Sequence, residues 1–229
     1  MKRLLHFIQK WTQRLVIFFF ASTILAVVAY RWLPVQVTPL MLIRCAQQAG
    51  HGEQLRLRHH WVPLDSISKY MPVAVMASED QRFLEHHGFD FDAIGQAVKE
   101  RQAGKRQRGG STISQQTAKN VFLWPAQSWL RKGLEVYFTA LIEICWSKQR
   151  IMEVYLNSIE MGDGIYGAEA VAQWHFNCSA AELTRANCAL IAATLPSPRR
   201  YSSKEPSAYM LKRQTWIMRQ MKHIDLLPR

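Results

Sequence analysis

Acidic residues are scarce. The 229-residue chain has 17 Asp and Glu against 29 Lys and Arg, for a formal net charge of +12. Hydrophobic residues make up 48% of it, which excludes a disordered polar chain and leaves enough apolar surface for one ordinary core. The basic excess points to an anionic partner, either nucleic acid, a lipid surface or a phosphorylated substrate, with an inert solvated surface as the plain alternative. Cysteine is also sparse. Cys45, Cys145, Cys178 and Cys188 form no CxxC pair, and His175, Cys178 and Cys188 fit no common zinc spacing. Cys145 lies in an apolar run and reads as core; the disulfide state of the four is left open. Strand signals are few, with weak alternation only around Leu55–Trp61, and no internal repeat is evident. Ser66-Ile-Ser-Lys69 spells SxxK, but no SxN or KTG follows, which excludes a penicillin-binding site built on it.

One stretch lacks charge altogether. Leu15–Tyr30 is apolar all round. As a helix it spans roughly 24 Å, close to a ~30 Å hydrocarbon core. Arg14 and Arg31 can snorkel, and Trp11, Tyr30 and Trp32 suit the interfaces. Tyr30, Arg31 and Trp32 stand where a signal peptide would need small residues for cleavage, so the segment reads as an uncleaved anchor over residues 15–33. Lys2, Arg3, Lys10 and Arg14 precede it, which places residues 1–14 in the cytoplasm and the rest outside. A translocated basic domain meets lipid headgroups and cell-wall precursors, so no nucleic acid is expected.

Beyond the anchor, Pro34–Pro39 reads as a linker and residues 34–64 as the approach to a helical domain over 65–229. Apolar spacing predicts helices over Ser66–His87, Thr112–Phe122, Leu130–Ile144, Lys148–Ser158, Gly167–Phe176, Ala180–Leu195 and Pro206–Ile224. Lys99–Gly110 reads as a flexible cationic loop leading into a helix. Thr112 with Gln115 fits a capping box, and a helix N-terminus beside basic side chains favours an anion.

Four elements carry candidate chemistry. In Ser78–Gly88 a continuous helix would put Glu79, Phe83 and His86 on one face, with Glu79 at the end of an apolar run. Desolvation there would raise the carboxyl toward the range of a useful base. Asp80 reads as structural. In Gly109–Asn120, Ser111, Gln115 and Lys119 recur every fourth residue, flanked by Thr112 and Gln116, a face suited to a sugar pyrophosphate. In Leu130–Glu143, Arg131 and Glu135 stand four apart, either as a solvated ion pair or as a second functional carboxylate. In Lys148–Asn157, Glu153, Tyr155 and Asn157 suit buried hydrogen bonds between helices.

Together these elements resemble the glycosyltransferase family 51 domain of peptidoglycan synthesis. Its motifs read ED-x-x-F-x-x-H-x-G, GGSTI-x-QQ-x-x-KN, RK-x-x-E and K-x-x-I-x-E-x-YLN. They match Glu79–Gly88, Gly109–Asn120, Arg131–Glu135 and Lys148–Asn157, with a fifth element at Ala189–Tyr201. The resemblance covers about residues 65–201. With the chain ending at Arg229, it suggests the monofunctional branch. It implies a mainly α, lysozyme-like domain behind a transmembrane helix, located at the bacterial inner membrane with the domain in the periplasm. The implied reaction polymerises lipid II into β-1,4-linked glycan and releases undecaprenyl pyrophosphate, inverting at MurNAc C1. Glu79 would be the base and Glu135 would bind or activate the pyrophosphate. Lys119 and Arg131 would neutralise charge, while Ser111, Thr112, Gln115 and Gln116 position substrate. Phe83, His86, Glu153, Tyr155 and Asn157 would hold the motifs together. The resemblance leaves open a divalent cation, magnesium or manganese, carried by Glu135; the spacing itself supplies no metal site. Expected partners are lipid II, the growing glycan strand and membrane lipids, with division or elongation proteins as a further option. Lys99–Arg108, Phe122, Leu123, Trp124 and Trp129 would rest against headgroups. Where the family usually has an arginine ahead of the second glutamate, this chain has Gln127. The rival readings are a lysozyme-like hydrolase and an inactive membrane-anchored scaffold.

Overall fold

The structure, a computed structural model, describes residues 2–102 and 110–227. It is mainly α-helical and divides into two units, Met1–Pro34 and Val35–Arg229. The first is built on α1 (Lys2–Ala29), a helix long and apolar enough to cross a membrane. Its large side chains are turned outward, with Phe18 and Leu25 about 70% exposed, as an element made for an apolar solvent requires. The Thr23 hydroxyl donates to the Phe19 carbonyl at 2.7 Å, so a polar group within the run is satisfied by its own helix.

In the second unit, α2 (Pro39–Gly50) occupies part of the stretch read as a linker. Pro39 starts this helix instead of breaking one. It sits in the first turn, where its missing N–H costs nothing, and the Thr38 hydroxyl caps Met41 N–H. The predicted helix Ser66–His87 is shorter, as α3 (Tyr70–Glu79). It ends because Asp80 leaves helical geometry at φ −159° and spends its carboxylate on the backbone of another segment. Glu79, Phe83 and His86 therefore do not share a helix face; residues 81–88 form turns. Helix α4 (Phe91–Gln102) was not anticipated. The cationic stretch Lys99–Gly110 continues this helix as far as Gln102, while residues 103–109 lie outside the described residues.

The remaining helices follow the apolar spacing more closely. They are α5 (Ile113–Phe122), α6 (Trp129–Cys145), α7 (Lys148–Ser158), α8 (Ala168–Val171), α9 (Arg185–Thr194) and α10 (Ala208–Gln220). Thr112, Ser128, Ser147, Thr184 and Ser207 cap five of them, each hydroxyl accepting a first-turn backbone N–H. The predicted helix Gly167–Phe176 changes to a π-helical turn after Val171. Ala180–Leu195 breaks at Leu183–Thr184, where Thr184 restarts the chain as an N-cap.

The strand expected over Leu55–Trp61 is confined to β1 (Arg58–His59), which pairs parallel to β3 (Ile165–Tyr166). β2 (Glu160–Gly162) pairs antiparallel to β3 across an irregular register. The core centres on α3, where Met71–Ala77 are all buried. This helix packs on α9 and α10, while α5 packs on α6 and α7. All four cysteines are free thiols.

Candidate functional site

Glu79 ends the buried helix α3, so its carboxyl emerges from an apolar wall. Ser78 donates to Oε1 at 3.1 Å and the Gln116 amide donates to Oε2 at 3.2 Å. Gln116 is itself oriented, because the Tyr155 hydroxyl donates to its Oε1 at 3.2 Å. Burial pushes the Glu79 carboxyl above the ordinary carboxylate range; the two hydrogen bonds and the positive charge of Arg213 offset this in part. Tyr155 is fully buried, and its hydroxyl is pushed well above its ordinary value by burial and then by the charges of Glu79 and Asp80. It stays a donor at every physiological pH.

Asp80 acts as a fastener. Its carboxylate accepts the Ile113 N–H at 3.0 Å and the His86 Nε2–H at 3.0 Å. His86 Nδ1 accepts the Gly88 N–H at 3.1 Å, which leaves the ring proton on Nε2 for Asp80. Gly88 adopts φ +90°, and a Cβ there would lie 2.9 Å from the Thr139 methyl group. The turn thus lies against α6, and only glycine fits. Thr112 donates to the Gly88 carbonyl at 2.7 Å. Lys148 closes the back of the loop, donating to the His86 carbonyl at 2.6 Å and lying 4.6 Å from the centre of the Phe83 ring. Glu143, which the spacing did not single out, accepts from both Lys148 and Ser114. Phe83 and His86 are thus buried supports of the turn.

The predicted polar face of α5 is redistributed. Ser111 is exposed and precedes the helix. Thr112 and Gln115 are buried and spent on the capping box, with Gln115 Oε1 accepting the Thr112 N–H at 3.0 Å. Gln116 and Lys119 are the members of this element that meet the Glu79 side. Among the described residues the Lys119 ammonium has neither a hydrogen bond nor an ion pair. Burial lowers its ammonium below the ordinary value. The charges next in strength on it are those of Glu135, Arg131, Lys132 and Glu79, so both carboxylates act on Lys119.

Glu135 is 3% exposed, which removes the solvated-pair reading. Arg131 donates to its Oε2 at 2.6 Å, and Lys132 donates to its Oε1. With both oxygens held by cations, the group does not fit a divalent metal. Among the described residues no three His, Cys, Asp or Glu gather where they could hold one. Gln127 is exposed, immediately before Ser128, the N-cap of α6. In the fourth element, Asn157 exchanges hydrogen bonds with the Val62 backbone at 2.9 and 3.0 Å, and Glu153 accepts the Leu64 N–H at 3.1 Å. Both tie the segment before α3 to α7. Phe122 and Leu123 face inward, Phe122 stacked on Phe138 at 4.6 Å and Leu123 buried, while Trp129 is 92% exposed.

A half-buried carboxylate held by neutral donors, beside a cluster of cations, is the equipment for transferring a group away from an anionic leaving group. Residues 47–222 match the transglycosylase family. The chain is 62% identical over 221 residues to a biosynthetic peptidoglycan transglycosylase of Bacteroides thetaiotaomicron, covering 96% of this chain and 89% of that protein. Proteins of the same description from Bdellovibrio bacteriovorus and Caulobacter vibrioides are 51% and 54% identical. They cover 92% and 84% of this chain and 84% and 82% of their own lengths. The chain belongs to the transglycosylase family. It is an enzyme, a glycosyltransferase with a lysozyme-like helical domain.

Proposed function

We propose that the protein polymerises lipid II into β-1,4-linked peptidoglycan strands, releasing undecaprenyl pyrophosphate with inversion at MurNAc C1. The observation that carries this is the pairing of a desolvated Glu79, held only by neutral donors, with the free ammonium of Lys119 and the cations gathered on Glu135. Glu79 takes the proton of the acceptor GlcNAc 4-hydroxyl as its oxygen bonds to C1. The bond from C1 to the pyrophosphate oxygen breaks, and the charge released passes to Lys119, Arg131 and Lys132. Glu135 holds two of these cations in place and touches no reacting atom. Ser111 and Gln116 position the sugars, while Thr112 and Gln115 hold the start of α5.

The helix α1 is the anchor, with its N-terminus in the cytoplasm and the catalytic domain in the periplasm. Both substrates carry a polyprenyl tail, so a tethered enzyme meets them in two dimensions. Exposed Trp129 and Leu130 suit the headgroup layer. A hydrolase needs no such cation cluster. Incubating purified protein with lipid II tests the assignment. Growth of long glycan is expected, and cleavage of preformed strands without synthesis would overturn it.

A further inference from the structure

A second concave surface shares no lining residue with the surroundings of Glu79. It is a cleft of about 360 Å³ formed by the β2–β3 hairpin, the segment entering β1, the π-helical turn and the chain that follows α9. Five cations line it, Arg56, Arg58, Arg199, Arg200 and Lys204, with a single acid, Asp163. Asp163 is taken by Arg56 and Arg199. Among the described residues Arg58, Arg200 and Lys204 have no carboxylate partner. An uncompensated cluster of this kind costs stability through self-repulsion unless an anion completes it.

The cleft is built and not merely a basic surface. Gly164 adopts φ +70°, and a Cβ there would stand 2.4 Å from the Arg56 carbonyl, so the hairpin and the arginine-bearing segment are in direct backbone contact. The Arg58 N–H donates to the Gly164 carbonyl at 2.9 Å. Arg58 lies over the Trp174 ring at 3.2 Å from its centre, while the indole stays 51% exposed. His175 Nδ1 is held to Ser203 at 2.7 Å. Burial depresses the His175 imidazole, and the positive charges of Lys204 and Arg58 depress it further.

From this geometry we infer that the cleft binds an anionic glycan, namely the carboxylate-bearing peptidoglycan strand, at a site separate from catalysis. The inference rests on the proposed synthesis of such strands. Arginine forks match carboxylates in two-point contact, and the part of the Trp174 indole that Arg58 leaves exposed offers apolar surface to a sugar ring. A membrane-binding surface would instead set several exposed apolar side chains among its cations. Here Trp174 is the one large exposed hydrophobic among the lining residues.

The test uses full-length protein in detergent. Peptide-bearing glycan oligomers free of lipid are titrated into the E79Q form, where no turnover intervenes. Arg58→Ala combined with Lys204→Ala is expected to weaken oligomer binding by about tenfold or more. Oligomers with amidated carboxyl groups should bind the unaltered cleft as weakly, a comparison that needs no cleft variant to fold. In the Glu79 background the double variant should keep its initial rate with lipid II. Unchanged oligomer affinity in both arms would overturn the inference. So would loss of binding to phosphatidylglycerol vesicles with oligomer binding retained, which would make the cleft a lipid site. A collapsed initial rate would place the cleft in the catalytic machinery. Failure of the unaltered enzyme to polymerise lipid II would instead count against the proposed function.

Discussion

Two carboxylates sit at the heart of this molecule in opposite surroundings. Glu79 is held by a hydroxyl and an amide, and burial raises its proton affinity. Glu135 is more deeply buried, yet both of its oxygens are gripped by cations. Residue type alone does not distinguish them; their neighbours do. In the proposed reaction the first exchanges a proton, and the second is a counter-ion that holds positive charge for the departing anion.

The largest expected effect breaks the first half of this contrast. Glu79→Gln should lower kcat with lipid II by about 10²–10⁴-fold, with the helical circular dichroism unchanged. The same variant should melt at or above the temperature of the unaltered protein near neutral pH. The folded value of Glu79 lies above its unfolded one, so folding favours the neutral form. The stability this gives is full at low pH and is lost as pH rises through the folded value. A clear drop in Tm would mean that Glu79 is a structural carboxylate. For the same reason kcat/KM should rise with pH, with a midpoint above the ordinary glutamate range. An acidic limb at an ordinary value would contradict the desolvation argument.

Glu135→Gln attacks the other half. It leaves the half-buried Arg131 without its counter-ion, at a cost of about 1–3 kcal/mol, read as a lower urea midpoint. The pH midpoint of the remaining activity should stay near that of the unaltered enzyme, because Glu135 carries no transferred proton. A large displacement would merge the two roles. Tyr155→Phe is subtler. It frees the Gln116 amide to turn away from Glu79 and should lower kcat several-fold, an effect of about 1 kcal/mol. Smallest is Gln127→Arg. The side chain is exposed beside the start of α6, so an added charge should tighten lipid II binding by only about 0.5–1 kcal/mol. Unchanged affinity would show that position 127 does not face the leaving group.

Much of this was legible in the chain. The apolar run into Glu79, the Thr112–Gln115 capping box and the extents of α5, α6 and α7 follow from local spacing and capping chemistry, which act within one element. What failed depended on contacts between elements. Spacings of three and four fit a helix and predict one that runs on to His87. Nothing local shows that Asp80 is claimed by the N–H of Ile113, on another segment. Gln115 and Gln116 look alike in sequence, yet one closes a cap and the other reaches Glu79. Glu143 and Arg213 carry no local signal, since each is one charged residue on an amphipathic helix. Pro39 was read as a breaker because a proline inside a helix and one at its start look the same until the cap is seen.

Arg213 has a consequence for how the enzyme comes into being. It donates to the Ser78 carbonyl at 3.4 Å, bracing the end of α3 that carries Glu79 from 135 positions further along the chain. Gln81 reaches Gln220 on the same late helix. A polypeptide that has reached only α6 has formed α3 and α5 but not this brace, because α10 follows them in the chain. The setting of the proposed proton acceptor thus depends on residues made long after it, and a polypeptide truncated before α10 would lack that support.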